Sequence, residues 1–111
     1  PSEVNEFNIT GKSNEPLNNM GDTFGFVYVD DCGNDEDIDI STYEFTFIIS
    51  LSGCTVLTGG TLTGELVKGV GLDINKLWFD IDNLDLKPSI YQYNIKITGS
   101  NSVIKGNLNV L

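Results

Sequence analysis

Five stretches of the 111-residue chain alternate apolar and polar side chains with a period of two. This alternation is typical of a β-strand that buries one face and leaves the other in water. No stretch shows a convincing period of 3.6 residues. The chain also has no alanine but many β-branched and aromatic residues, which favours strands over helices. We therefore predict an all-β fold, an antiparallel immunoglobulin-like β-sandwich of about seven or eight strands.

The alternation also predicts which side chains face the core. The predicted inward residues are Phe24, Phe26 and Tyr28; Tyr43, Phe45, Phe47, Ile49 and Leu51; Leu77, Phe79 and Ile81; Tyr91, Tyr93, Ile95 and Ile97; and Ile104, Gly106, Leu108 and Val110. Each run is predicted to be one half-buried strand. Residues 54–72 are rich in glycine and alternate poorly, so we expect short strands with bulges or loops there.

The beginning of the chain differs from the rest. Residues 1–20 are rich in Asn, Glu and Ser, and we interpret them as an N-terminal arm or edge strand that precedes a β-sandwich domain at residues 21–111. Two alternatives stay open for this segment. It is either a first strand packed on its own domain or an extended arm that docks on a neighbouring subunit by strand addition. In the second case, Val4, Phe7, Ile9 and Leu17 would form the interface.

The composition disfavours several classes of function. The chain has no His, the commonest acid–base group near neutral pH, and no Arg, the bidentate ligand of phosphate. The net charge of −10 repels nucleic acid and anionic membrane surfaces. No apolar run approaches the length of a transmembrane helix, and no signal segment opens the chain. Because Pro1 fits a removed initiator Met, we expect a whole small protein. Because the chain lacks His and a nucleophile constellation, we expect that it is not an enzyme and has no cofactor.

The two cysteines, Cys32 and Cys54, flank the predicted strand at residues 43–51. Such a strand would separate its ends by about 30 Å, whereas a disulfide needs Cα atoms within about 7 Å. We therefore predict two free thiols, which fits assembly in a reducing cytoplasm.

The stretch YVDDCGNDEDIDIS concentrates negative charge. It contains six acidic residues, which are Asp30, Asp31, Asp35, Glu36, Asp37 and Asp39. Neither possible register matches an EF-hand calcium loop, because the required glycine and the closing Glu are missing. We interpret the stretch as the charged end of a hairpin that joins a strand at residues 21–29 to the strand at residues 43–51. A calcium site shared with another loop, or a docking surface for a lysine-rich partner, stays open.

Catalytic groupings are weak. Asp80 and Asp82 share one face of a strand, as the paired carboxylates of a glycosidase would, but nothing else in the sequence suggests a sugar cleft. A cysteine nucleophile would lack a His to activate it. Trp78, the single tryptophan, points away from Leu77 and Phe79. It either covers the second face of its strand or anchors an interface, where Trp is enriched.

The order of several motifs resembles a module of tailed-phage virion proteins. The chain runs from GDTFGFVYVDD through IDISTYEFTFIISLS and a glycine-rich stretch to LDLKPSIYQYNIKI and SVIKGNLNVL. This order, over residues 21–111, is similar to the N-terminal domain of baseplate upper proteins and to related fibre-attachment domains. The chain departs from the pattern at residues 88–89, where Pro and Ser stand in place of a glycine before Tyr91. The resemblance implies a β-sandwich with a structural role and carries over no catalytic residue.

From these expectations we predict that the chain is a non-enzymatic structural component of a tailed-phage virion. The favoured role is an auxiliary protein that decorates the capsid. The alternatives are an adaptor of the baseplate, tail or fibre, and a calcium- or carbohydrate-binding module that uses Trp78 and the acidic stretch. The expected partner is a larger virion protein, either the major capsid protein or a tail or baseplate protein, with a homo-oligomer as a further option. No nucleic-acid or membrane partner is expected, and the protein would reside in the virion after assembly in the host cytoplasm.

Overall fold

The computed structural model describes residues 5–111, which form an almost entirely β structure. Two short 3-10 turns, at Met20–Asp22 and Gly71–Asp73, are its helical parts. The strands in chain order are β1 (Asn5–Glu6), β2 (Ile9–Gly11), β3 (Leu17–Asn18), β4 (Phe24–Gly25), β5 (Val27–Val29), β6 (Asp35–Asp37), β7 (Phe45–Leu51), β8 (Cys54–Gly60), β9 (Leu66–Lys68), β10 (Lys76–Ile81), β11 (Ser89–Ile97) and β12 (Ser102–Val110). The described strands outnumber the seven or eight expected, and several of them are only two or three residues long. Nowhere in residues 5–111 is there a helix long and apolar enough to cross a membrane.

The larger sheet has the order β1-β12-β11-β7-β8, with β2 also paired to β12. Its four long strands are antiparallel, as predicted, but β1 and β2 run parallel to β12. The predicted antiparallel pairing therefore holds for the long strands, whereas the sheet as a whole is mixed. Parallel neighbours need a long connection, and here nearly the whole domain lies between β2 and β12.

The smaller sheet is organised around β10. Leu77 is paired with both Phe24 of β4 and Lys68 of β9, so these two strands lie on opposite edges of β10. Strand β3 pairs further along β10, at Asp80 and Ile81. Between β3 and β4, the Asn19 side chain takes the place of a strand residue, because its Oδ1 accepts a 2.6 Å hydrogen bond from the backbone N–H of Phe79.

The two sheets share one aromatic core. The ring of Phe79 in β10 lies 5.2 Å from Phe47 of β7, 5.8 Å from Tyr93 of β11 and 6.0 Å from Phe24 of β4, in edge-to-face arrangements between centroids. Such arrangements are the favoured geometry of aromatic pairs. The alternation predicted most of this core. The predicted inward residues that are buried are Phe24, Phe45, Phe47, Ile49, Leu77, Phe79, Ile81, Tyr91, Tyr93, Ile95, Ile104, Leu108 and Val110.

Two predicted inward residues are exposed instead. Tyr28 is 53% exposed and Tyr43 is 42% exposed. The chain leaves the small sheet at Phe26, whose N–H donates to the Asn75 carbonyl, so β5 no longer lies over the core. Tyr43 precedes the first residue of β7 and lies in the turn that leads to it. Alternation alone does not show where a strand separates from its sheet.

The N-terminal segment is joined to the domain over residues 5–18. The Phe7 N–H donates to the Lys105 carbonyl at 2.9 Å, and the Tyr93 hydroxyl donates to the Phe7 carbonyl. Burial raises the pKa of the Tyr93 hydroxyl, which keeps it protonated as a donor. Gly106 leaves room for this contact, since a Cβ there would lie 1.8 Å from the Phe7 carbonyl oxygen. The segment therefore forms edge strands on its own domain.

Candidate functional site

The acidic stretch forms its own two-stranded hairpin, which we call the ribbon (residues 27–37). Val27, Tyr28 and Val29 in β5 pair with residues 35–37 of β6, so the ribbon does not join β5 to β7 as predicted. It forms a sheet separate from the two large ones. All six paired side chains are exposed, with apolar residues on one strand and carboxylates on the other.

The tip of the ribbon is held by Asp30. Its Oδ1 accepts hydrogen bonds from the backbone N–H groups of Cys32 and Asn34, both at 2.9 Å. These bonds, that from Asn34 first, hold the pKa of the Asp30 carboxyl below its usual range, because they favour the charged form. Gly33 has a φ of 83°, a value that favours glycine at this turn. The carboxylate of Asp30 therefore has a structural role in the turn.

The base of the ribbon rests on Asn75, a buried polar residue. Its Nδ2 donates to the Phe26 carbonyl and to Asp37 Oδ1, both at 3.2 Å. Its own carbonyl accepts the Phe26 N–H at 2.9 Å. These bonds fix the direction in which the ribbon leaves the domain, and so they place the acidic residues at one end of the molecule.

The ribbon does not gather a metal site in the described residues. Over residues 5–111, no group of three Cys, Asp or Glu side chains is placed to hold a metal ion together. Asp80 lies in β10, and Asp82 follows its last residue. Within residues 5–111, no third carboxylate joins them in a group that could hold a metal ion. Both cysteines are free and exposed, in agreement with the prediction, with Cys32 in the ribbon and Cys54 at the start of β8.

Calcium is therefore expected to leave the thermal stability of the protein unchanged. A ligand present at 100 times its Kd stabilises the folded state by about 2.7 kcal/mol, which would raise the Tm of a domain of this size by roughly 10 °C. Thermal melts in millimolar CaCl2 and in EDTA measure the difference. A rise of that size in calcium, reversed by EDTA and absent with the same concentration of MgCl2, would establish a calcium site and contradict this expectation.

The predicted interface residues lie in different places. Leu17 is 4% exposed and belongs to the core, so its side chain is not accessible to a partner in the folded chain. Ile9 is half-buried and packs against the core, whereas Phe7 is 43% exposed and touches Phe24 edge-to-face at 5.6 Å. Trp78 is half-buried on the outer face of β10, opposite Leu77 and Phe79. Val4 lies outside the described residues. Because Leu17 belongs to the core, the four described residues do not form one exposed surface.

A surface that the sequence reasoning missed lies along β8. The twenty residues 45–64 carry no charge, although one residue in five of the whole chain is charged. They form the hairpin of β7 and β8 and the turn that follows it. Strand β8 is the last strand of the larger sheet in the described order. The uncharged run is visible in the sequence, but its position at the edge of the sheet depends on the strand order.

A cavity of about 460 Å³ opens beside this edge. Its lining consists mainly of threonines, glycines and apolar residues, namely Phe45, Thr46, Thr58, Gly59, Gly60, Leu62, Thr63 and Glu65. The Gly60 backbone lies so close to β7 that a Cβ there would be 2.3 Å from the Phe45 carbonyl oxygen. The turn beyond it exposes Leu62, which is 82% accessible. The cavity is thus lined on one side by the edge strand itself.

The start of the uncharged hairpin is anchored by Lys68. Its Nζ donates to the carbonyls of Ser41 and Tyr43, at 2.9 and 2.7 Å, and lies 3.4 Å from Glu44 Oε1. The Thr61 hydroxyl donates to the other carboxylate oxygen of Glu44. This hydrogen bond, with a smaller contribution from the charge of Lys68, holds the pKa of the Glu44 carboxyl below its usual range. Glu44 and Lys68 are thereby engaged with the domain, whereas Glu65, which follows the hairpin directly, accepts a hydrogen bond from the Thr63 hydroxyl and lines the cavity.

The Thr46 hydroxyl is buried at this cavity and, within residues 5–111, has no hydrogen-bond partner. An unsatisfied buried polar group costs about 1–3 kcal/mol. We therefore expect Thr46→Val, which keeps the shape of the side chain, to raise the free energy of unfolding by about 1 kcal/mol in urea titrations. Thr58→Val is the matched control, because the Thr58 hydroxyl donates to the Phe47 carbonyl at 2.7 Å and its loss should destabilise the fold. Equal destabilisation by both variants would show that Thr46 has a partner.

Comparison with known proteins identified no relative of the chain. No protein-family model, no curated protein and no solved structure matches the chain.

Proposed function

We propose that the chain is a non-enzymatic structural component of a tailed-phage virion, an immunoglobulin-like β-sandwich that attaches to a larger assembly. Its first proposed place is the outside of the capsid, as an auxiliary decoration protein. The second is an adaptor in the baseplate, tail or fibre attachment. The motif order over residues 21–111 supports this class, and the almost entirely β structure is compatible with it.

The observation that carries the proposal is the segregation of charge. The uncharged residues 45–64 form one edge of the larger sheet, while six of the acidic residues gather on or beside the ribbon. In a chain of net charge −10, an uncharged face is where another protein can approach with the least repulsion. The acidic ribbon would then face solvent, where its charge keeps assembled particles apart.

Mass spectrometry of purified virions tests the proposal. In the phage whose genome encodes the chain, we expect the protein in the particles at a fixed copy number relative to the major capsid protein. Its absence from the particles would contradict the proposal. A cytoplasmic host protein measured in the same preparation is the control for contamination.

A salt wash of the same particles distinguishes the docking surfaces. Attachment through the uncharged edge should survive 1 M NaCl, at which the Debye length is about 3 Å. Release of the protein by this wash would instead indicate that the acidic ribbon binds a lysine-rich partner.

A further inference from the structure

Strand β8 is an unprotected sheet edge. In the sheet order of the described residues it pairs with β7 on one side and has no neighbour on the other. It is seven residues long, and residues 45–64 contain neither a charge nor a proline. Natural proteins usually protect such edges with charged residues, prolines or covering segments, because the unpaired backbone groups bind further strands. The opposite side of the sheet is covered by β1 and β2.

The backbone at the centre of this edge points outward. The Thr61 N–H donates to the Phe45 carbonyl, so these two residues form a hydrogen-bonded pair of the β7–β8 ladder. Pairs of this type alternate with pairs that point away from each other, and Thr58 and Gly60 fall in the second class. The Gly60 N–H is occupied by the Thr63 hydroxyl at 3.0 Å. The Thr58 N–H and carbonyl therefore face the open edge.

The cavity adjoins the same backbone. Thr58, Gly59 and Gly60 line it, and the two glycines contribute no side chain that could fill it. A Cβ at Gly59 would lie 2.1 Å from Glu65 Oε1 and 2.9 Å from a ring carbon of Phe47, so the Glu65 carboxylate packs over this glycine and forms part of the cavity wall. Thr46 of β7 lines the cavity as well, although its hydroxyl is itself buried from solvent. An added strand would thus find backbone groups to pair with and a recess for one side chain.

We propose that β8 receives an extended, uncharged segment of the larger virion protein by strand addition, with one side chain of the segment in the cavity. In this mode, backbone hydrogen bonds give affinity and the cavity gives specificity. The inserted side chain is uncharged and small to medium in size. This inference rests on the proposed function and names the kind of contact through which it works.

The charge of the chain favours such a segment over a second copy of the protein. Two copies joined at β8 would bring together two chains of net charge −10. An uncharged segment brings only its own residues to the edge and adds no repulsion there. The occupant of this edge is therefore a neutral strand of a different protein.

The two native thiols report on this arrangement without any substitution. Cys54 is exposed at the start of β8, and Cys32 is exposed in the ribbon. We expect alkylation of Cys54 by N-ethylmaleimide to be at least about tenfold slower in purified virions than in the free protein, with Cys32 unchanged. If the protein is present in virions but Cys54 reacts at its free rate, the strand-addition proposal fails and the proposed function stands. If the protein is absent from virions, the proposed function itself fails.

Substitutions at the edge test the backbone pairing. Thr58→Pro removes the outward N–H, whereas the matched control Thr58→Ser keeps both this N–H and the hydroxyl that donates to the Phe47 carbonyl. We expect virion incorporation to fall at least about tenfold for Thr58→Pro and less than about twofold for Thr58→Ser. Equal incorporation of the two variants, each shown to be folded by thermal melting, would overturn the proposal.

A second variant covers the case in which Thr58→Pro does not fold. Leu62→Glu places a charge beside the cavity on a side chain that is largely exposed, so the fold should be retained. Val29→Lys, on the exposed ribbon, is its control. Incorporation should fall for Leu62→Glu and persist for Val29→Lys, and normal incorporation of Leu62→Glu would overturn the proposal. Sedimentation of the free protein as a dimer that Leu62→Glu converts to a monomer would replace the partner segment by a second copy and overturn it equally.

Discussion

Replacement of Phe79 by alanine is expected to lower the free energy of unfolding by about 3–5 kcal/mol. Phe79 is fully buried, and its ring contacts aromatic rings from both sheets, among them Phe47 and Tyr93. Its removal leaves a cavity at the point where the two sheets meet. Domains of this size are commonly stable by only about 5–15 kcal/mol, so the variant would lose a large share of its stability.

Urea or thermal unfolding followed by circular dichroism measures this effect. The control is Leu72→Ala, because Leu72 is 96% exposed in the turn after β9. Its expected effect is within about 0.5 kcal/mol. If Phe79→Ala cost no more than Leu72→Ala, the two sheets would not share this core.

Replacement of Gly106 by alanine is expected to detach the N-terminal segment from β12. The added Cβ would lie 1.8 Å from the carbonyl oxygen and 2.6 Å from the carbonyl carbon of Phe7, and both are backbone atoms. A flexible side chain could turn away, but here the strand pairing around Phe7 has to move. We expect a loss of about 1–3 kcal/mol or more, as for other overpacked sites. Faster hydrogen exchange should accompany it at the Phe7 N–H, which is bonded to Lys105.

Gly21 provides the control for this prediction. A Cβ at Gly21 meets nothing within 4 Å, so Gly21→Ala should leave the stability unchanged or raise it slightly. The comparison also decides between the two interpretations of residues 1–20. If the segment were an arm that leaves its own domain, Gly106→Ala would be as harmless as Gly21→Ala.

The sequence predicted the faces of the long strands well because the period of two is a local property. Whether Phe47 or Ile95 points inward depends on its neighbours in the chain, and both are buried as predicted. Tyr28 and Tyr43 continue the same alternation, but they lie where the chain leaves a sheet or has not yet entered one. Their exposure depends on hydrogen bonds to distant residues, such as that between Phe26 and Asn75.

The pairing of distant segments could not be predicted from local pattern. The parallel contact of β1 with Ile104 and Lys105 joins residues about a hundred positions apart, and no local signal marks it. The edge position of β8 depends in the same way on the order of all strands in its sheet. The absence of charge in residues 45–64 was visible in the sequence, yet its meaning depends on that order.

Electron cryomicroscopy of the virion tests the central claim, attachment to a larger phage assembly, most directly. The account predicts a two-sheet domain at regular positions on the capsid or the tail, with β8 against a strand of the neighbouring protein and the ribbon toward solvent. A map that resolves the capsid and tail proteins of the phage in which the chain is proposed to occur, but that contains no such domain, would contradict the proposal.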